Sequence, residues 1–431
     1  MNIYQLGDEK MKIRISHISN TYNNGSFMMA INLIYHLAAK IPSNTVFYTD
    51  TPKDNNMVRL SSSLSKVNVV GRECDNKLFA NPNNGFKPIR MVKLYMNKLY
   101  QIVMDRANMH IVLGGDDLSE YYGTSYLVYG LLSIYLYSLK MPVYLVGQTV
   151  GPFTGWRKHI AYFVLKRCHI YTRETLNFNY LRQELGLSTI QESRDLAFLS
   201  LPGQDDPALK QNVLSRYGLQ EEQYITIVPS GLYAHYCKDQ AAYVRNFINV
   251  IRQLKAGRAH GCYKIVLLPH VINTESDDRF IISEIMKLLD KKEDIVTILD
   301  ELMPNELRTI LGNGYFTITG RMHAAVSTFQ MGRPAISLAY SVKYKGVISS
   351  GLDMDGLVID CSEPSRWESD LVAEDIMTSI DLIDKDYITM RSKIVAKVSE
   401  SKDLAERQIA AISEKLISPT GLYPKVYVDE Y

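Results

Sequence analysis

The sequence predicts an α/β protein built from two similar halves, each a parallel β-sheet with helices on both faces. Three observations carry this. The chain has 431 residues, enough for two domains of ordinary size. Strand-like runs alternate with helical stretches from residue 13 onward, the pattern of parallel sheets. The alternation breaks once, at Leu201-Pro202-Gly203-Gln204-Asp205-Asp206-Pro207, where two prolines and a glycine give linker composition, and then restarts.

In the first half, Ile13–Ile18 reads as a strand and Ser26–Lys40 as an apolar helix opened by Asn23-Asn24-Gly25. Val46–Asp50 and Lys66–Val70 are the next strands. Asn108–Leu113 is a strand ending in Gly114-Gly115, and Ser125–Leu139 a helix. Val143–Gly147 is a strand, Trp156–Cys168 a helix, Ile170–Arg173 a strand and Thr175–Leu185 a helix. In the second half, strands Tyr224–Val228, Lys264–Leu268, Val296–Leu299, Tyr315–Thr319 and Pro334–Leu338 alternate with helices Ala241–Leu254, Asp278–Leu289, Pro304–Gly312 and Met322–Met331. Asp370–Leu416 is a long, charged helical stretch. Residues 1–10 read as a short extension before the first strand.

Composition excludes several classes. Hydrophobic residues make up 46% and charged residues 22%, which speaks against disorder. Lys+Arg is 48 and Asp+Glu 46, a net charge of +2, without the basic surplus of a duplex nucleic-acid binder. Cys74, Cys168, Cys237, Cys262 and Cys361 contain no CxxC pair, so neither a zinc site nor a disulfide framework is expected. The most apolar stretch, Tyr126–Leu139, is too short to span a membrane and reads as a buried core helix. A cytoplasmic protein is expected, with contact at the membrane surface left open.

In open parallel sheets, ligands bind beyond the carboxyl ends of the strands. There, Gly320-Arg321-Met322-His323 opens a helix directly after a strand. A helix N-terminus attracts anions, Arg321 adds a fork suited to carboxylate or phosphate, and His323 adds a proton-transfer group. The alternative is a buried Arg and a capping His in a tight turn. Arg173, before Glu174, is a second cation or half of a surface pair. Lys343 or Lys345 could reach the same anion, or lie in a solvated loop. Gly114, Gly115 and Gln148 sit where glycine-rich turns let backbone approach a ligand. Asp116 and Asp117 lack the accompanying carboxylates of a metal site, and no metal is expected. His270 could contact a ligand or cap the next segment.

Taken in order, these pieces resemble the polysaccharide pyruvyl transferase family. They are Asn23-Asn24-Gly25, Gly114-Gly115, Gly147-Gln148-Thr149-Val150-Gly151-Pro152, Arg173-Glu174, Arg194-Asp195-Leu196-Ala197-Phe198, and Gly320-Arg321-Met322-His323 through Gly332-Arg333-Pro334 to Tyr340 and Lys345. The resemblance implies a GT-B-like architecture, two Rossmann-like domains facing a cleft. Residues 1–204 would form the acceptor side, 205–390 the donor side, and 391–431 a helical segment packing back on the first domain. It implies transfer of pyruvate from phosphoenolpyruvate to a sugar, or to a lipid-linked oligosaccharide, as a cyclic ketal, with no further cofactor. Arg173 and Arg321 would bind the donor with Met322, His323 and Lys345. His323 and Arg173 would be catalytic. Asn23, Gly25, Gly114, Gly115, Asp116, Gln148 and His270 would line the cleft. Ser26 and Asp116 depart from the family's pattern, which has an acidic residue and a third glycine there. A GT-B glycosyltransferase using a nucleotide sugar is the alternative, and a sugar-binding protein that kept the fold is a third.

Overall fold

The computed structural model describes residues 10–71, 96, 99–257, 259–274, 276–341 and 343–417. Cys74, the extension over residues 1–9, Val342 and residues 418–431 of the terminal segment lie outside the described residues. The chain divides into two compact units. One comprises Met1–Thr21, Leu33–Ser193 and Glu406–Tyr431, the other Tyr22–Asn32 and Arg194–Ala405.

The first unit holds a seven-stranded sheet, every pairing parallel, in the order β3-β2-β1-β4-β5-β6-β7. Its strands are β1 (Lys12–Ser16), β2 (Val46–Thr49), β3 (Asn68–Gly71), β4 (Met109–Leu113), β5 (Val143–Gln148), β6 (His169–Thr172) and β7 (Ile190–Glu192). Central β4 and β5 are buried along their whole length, as strands covered on both faces are, and they carry His110 and Gln148 inside with them. The helices are α1 (Asn24–Ala38), α2 (Asn55–Ser63), α3 (Thr124–Ser138), α4 (Trp156–Leu165) and α5 (Thr175–Asn179). The unit division falls inside α1, between Asn32 and Leu33. Polar α2 gave no periodic signal; it buries only Arg59 and Leu60 and starts because Asp54 accepts from the Asn56 N–H.

The second unit holds six parallel strands in the order β10-β9-β8-β11-β12-β13. These are β8 (Tyr224–Val228), β9 (Lys264–Leu267), β10 (Ile295–Thr297), β11 (Thr317–Thr319), β12 (Ala335–Ala339) and β13 (Val358–Asp360). Around them lie α6 (Pro207–Arg216), α7 (Gln240–Ala256), α8 (Asp278–Leu288), α9 (Pro304–Asn313), α10 (Met322–Gln330), α11 (Pro364–Glu368), α12 (Leu371–Lys385) and α13 (Tyr387–Ile417). The linker-like stretch ends in a built helix start, with Asp206 accepting from the Ala208 N–H and Pro207 at the first helical position.

Three details differ from expectation. Strands β7 (Ile190–Glu192) and β13 (Val358–Asp360) were not read from the sequence. The terminal helical stretch is resolved into two helices, separated at Asp386. And α3 is not a buried core helix: Leu127, Leu131, Ile134 and Tyr137 face the core, while Tyr126, Leu132 and the following Leu139 are exposed. Among the described residues, no helix is long and apolar enough to cross a membrane.

Candidate active site

In the second unit the turn after β11 is anchored from several sides. The Gly320 N–H donates to the Val228 carbonyl, and the Gly320 carbonyl accepts from the hydroxyls of Tyr236 at 2.5 Å and Tyr344 at 2.7 Å. Both tyrosines are buried, and burial lifts their ionisation far above the ordinary range, so they remain donors. The next residue, Arg321, stands at the N-cap of α10. Its Nε and Nη2 donate to Asp278 Oδ1 at 3.0 and 2.6 Å, and Nη2 also donates to the Ser276 carbonyl at 2.9 Å. Burial opposes its charge, but Asp278 more than compensates and the guanidinium stays protonated.

Asp278 is fully buried and organises three strand ends. Besides Arg321, it accepts from the N–H groups of Gly231 after β8 and of His270 and Val271 after β9, at 2.7–2.9 Å. A carboxylate holding three backbone donors and a guanidinium fixes the position of Arg321.

His323, in the first turn of α10, hydrogen-bonds through Nε2 to Oδ2 of Asp195 at 3.2 Å. Asp195 has no exposed surface, and its Oδ1 accepts from the Ala197 N–H. The Asp195 segment is held in turn by fully buried Arg308, which donates to the carbonyls of Ala197 and Leu199 and to Gln204 Oε1. Asn32 donates to the carbonyls of Leu196 and Leu199. Burial pushes the Arg308 pKa down to about 9. On its other side the His323 ring lies against Gly25: a β-carbon there would come within 2.3 Å of Nδ1. Glycine at position 25 is therefore a space requirement, met at the start of α1.

The Asn23–Gly25 segment joins this group directly. Asn23 bridges Val271, and the Asn24 N–H and Nδ2 donate to the His270 carbonyl. The His270 imidazole is completely buried, and its Nε2 has no hydrogen-bond partner among the described residues. Burial, with the nearby charges of His323, Arg321 and Arg308, holds its pKa well below 6.5. Thus Asn23, Gly25, His270, Arg321, Met322 and His323 come together. Lys345 is not drawn into that network; it is exposed, with Nζ 3.8 Å from Asp360.

In the first unit the carboxyl ends of β4, β5 and β6 meet. Arg173 is buried, its N–H donating to the Gln148 carbonyl and its Nε to Thr149 Oγ1 at 2.7 Å. The Thr149 hydroxyl donates to Glu174 at 2.9 Å. Gln148 is buried and donates to the carbonyls of Val112 and Leu113, a structural tie across the sheet. Gly114 lies so close to Gly147 that a β-carbon would sit 1.8 Å from its carbonyl oxygen, and the Gly115 carbonyl accepts from the Thr149 N–H. Asp116 accepts through its carbonyl from Ser119, and Asp117 lies 3.3 Å from His17 Nδ1.

Sequence reasoning did not single out His17, Asp195, Asp278 or Arg308. His17 follows β1 with φ 72°, a conformation uncommon for a non-glycine residue. The Asp50 carboxylate holds it there by accepting from the N–H groups of His17 and Ile18. Position after a strand could have flagged His17. Asp195 stood inside a quoted motif but was given no role.

Comparison with known proteins places these features in a family. The polysaccharide pyruvyl transferase profile matches residues 25–342. The amylovoran biosynthesis protein AmsJ of Erwinia amylovora is 26% identical over 250 residues, 55% of this chain. The match spans 58% of that relative's length, under two thirds of it. Among solved structures, UDP-GlcNAc 2-epimerase from Neisseria meningitidis aligns with TM-score 0.62 at 10% identity, covering 94% of this chain and 100% of that one. A glycosyltransferase from Rickettsia africae aligns with TM-score 0.54 at 12% identity, covering 95% and 100%. At such identity these likenesses establish the fold alone, two parallel-sheet α/β domains of GT-B-like type. With the profile covering most of its length, including the Gly25 and Arg321-Met322-His323 segments that the fold packs together, the chain belongs to the polysaccharide pyruvyl transferase family.

Proposed function

We propose that this protein transfers the pyruvyl group of phosphoenolpyruvate to a sugar of a cell-surface polysaccharide or of its lipid-linked precursor, forming a cyclic ketal. It would act in the cytoplasm, at the inner face of the membrane where such precursors are presented. The observation that carries the reading is the pairing of His323 with buried Asp195 beside the clamped Arg321, at the start of α10.

The chemistry follows from the donor. Phosphoenolpyruvate carries a carboxylate and a phosphate on one vinyl carbon. Ketal formation adds a proton to C3 and a sugar hydroxyl oxygen to C2. A second hydroxyl of the same sugar then replaces phosphate at C2, and its proton leaves with the departing group or the solvent. His323 is assigned the proton transfers. Asp195 fixes the ring's orientation by accepting from Nε2, which leaves Nδ1 as the exchanging nitrogen. Arg321 and the first turn of α10 are assigned to the donor's anionic groups, with Met322 contributing through its backbone. Arg173, in the first unit, is the second cation assigned to the phosphate, and Lys345 a peripheral one. The first unit is assigned to the acceptor and the second to the donor. His270, uncharged, lets donor charge be matched by the arginines rather than by a third cation.

The test is a mass-spectrometric assay of phosphoenolpyruvate with a panel of nitrophenyl and lipid-linked sugars. The expected result is a mass gain of one pyruvate ketal on one acceptor, with equimolar phosphate. Sugar transfer from a nucleotide sugar, with no product from phosphoenolpyruvate, would replace this reading with glycosyl transfer.

A further inference from the structure

The first unit carries an exposed face that the transfer reaction does not use. On α4, Trp156, Ile160 and Phe163 follow one another at helical spacing and are 52%, 38% and 46% exposed. The neighbouring α3 adds exposed Leu132 and Leu139, with Tyr135 5.5 Å from the Phe163 ring. Next to the end of α3, Lys140 Nζ donates to the carbonyls of Ile102 and Val103. That contact brings the helical residues 99–104 alongside, whose Tyr100, Val103 and Met104 are 57–69% exposed. Three elements thus contribute large apolar side chains to one surface, and patches of that kind mark interaction sites.

Charge selects the partner. From Tyr121 to Arg182 the chain has a single acidic residue, Glu174, and it is buried. Besides buried Arg173, the same stretch bears Lys140, Arg157, Lys158, Lys166, Arg167 and Arg182. Of these, Arg157 is paired with Glu120. Lys166 lies over the Tyr162 and Phe163 rings, and Arg167 over Tyr135 and Phe163. Long basic side chains laid along exposed aromatic rings, with tryptophan on the apolar edge, suit an interface that is greasy below and anionic above. The carboxylates near this face are Glu120, already paired with Arg157, and buried Glu174, so a second copy of the same face would bring no acidic surface to the remaining cations.

We propose that the outer face of α3 and α4, with residues 99–104, docks on an anionic lipid bilayer. Trp156, Ile160 and Phe163 enter the headgroup boundary, and Lys166 and Arg167 contact lipid phosphates. The inference goes beyond the transfer reaction and holds whatever the donor is.

The chain supplies its own probe. It has two tryptophans; Trp367 is fully buried, so a change in emission on adding vesicles reports Trp156. With the full-length protein and vesicles of 30% phosphatidylglycerol in phosphatidylcholine, emission should shift to the blue and the protein should float with the lipid. Pure phosphatidylcholine should give neither. Lys166→Ala/Arg167→Ala should weaken partition roughly 25-fold, about fivefold per cation. Ile160→Asp should abolish the shift. These positions are exposed, and an unchanged melting curve will show that the variants fold. No blue shift and no flotation at any phosphatidylglycerol content would overturn the proposal. So would equal partition of the variants, or a concentration-dependent dimer that Ile160→Asp dissociates without any vesicle binding.

Discussion

Gly25→Ala is the sharpest test of how His323 is held. The added β-carbon would lie 2.3 Å from His323 Nδ1, 2.7 Å from Cγ and 2.9 Å from Cβ. Ordinary contact between such atoms is about 3.5–4.0 Å, so the ring must retreat by about 1 Å. The short Cβ distance means that rotation alone cannot relieve it. The 3.2 Å bond from Nε2 to Asp195 is then lost or badly bent. A hydrogen bond to a charged group contributes about 1.5–3 kcal/mol, which is about 10–150-fold in rate when its purpose is to orient a proton-transfer group. Alanine's helix preference of up to about 1 kcal/mol over glycine offsets only part of that loss, so the melting temperature should fall by a few degrees while the protein stays folded. Phosphoenolpyruvate affinity should stay within about twofold, because Arg321 and Asp278 are untouched.

The assay is turnover per folded molecule at saturating donor, with donor affinity by calorimetry. The same measurements on Asp195→Asn and on the double variant complete a cycle. If both changes act through one hydrogen bond, the double variant should be little slower than either single one. Turnover of a folded Gly25→Ala protein within twofold of wild type would refute the argument, because it would show that His323 can be displaced without consequence. Additive losses would show that Gly25 and Asp195 act separately.

His323→Gln should retain donor affinity while turnover falls by about 10²–10⁴-fold; a folded variant with near-normal turnover would reduce His323 to a turn residue. Asp278→Ala should cost about 3–5 kcal/mol of stability, since it strands Arg321 and three backbone donors, and a melting temperature within a few degrees of wild type would contradict that network. Stability should also depend on pH through His270, whose folded pKa is depressed by burial and then by neighbouring cations. The unfolded chain takes up that proton near 6.5 and the folded one only at lower pH. The contribution is therefore intact above about pH 6.5 and is lost as pH falls below it, at up to about 1.4 kcal/mol per unit. Chemical denaturation at pH 7.5 and 5.5 should show a smaller acid loss in His270→Gln, and equal losses would exclude this source.

What the sequence made legible was local. Gly320, Arg321, Met322 and His323 are contiguous, and their place between strand and helix follows from the alternation around them. The strand ends at Gly114 and Gln148 were found the same way. In detail their functions differ: Gln148 is spent on the carbonyls of Val112 and Leu113, a role no periodicity encodes. Apolar α3 read as buried because an apolar helix gives the same composition whether its second face meets protein or not.

The partners of the candidate site were illegible for a common reason. Asp195 meets His323, Asp278 meets Arg321, Arg308 meets Ala197 and Leu199, and Gly25 meets the His323 ring across the fold, between segments far apart in the chain. A lone buried aspartate is indistinguishable in sequence from a surface one, and a glycine at a helix start looks like a turn signal. Both acquire their roles only when α1 and the Asp195 segment pack against α10. That dependence has a chemical consequence. The catalytic assignment of His323 rests less on the histidine than on the buried carboxylate behind it. A histidine at a helix start without such a partner is free to rotate and to exchange either nitrogen, whereas this one presents a single nitrogen. The Arg308 and Asn32 contacts that fix the Asp195 backbone therefore belong to the same device as the ring they never touch.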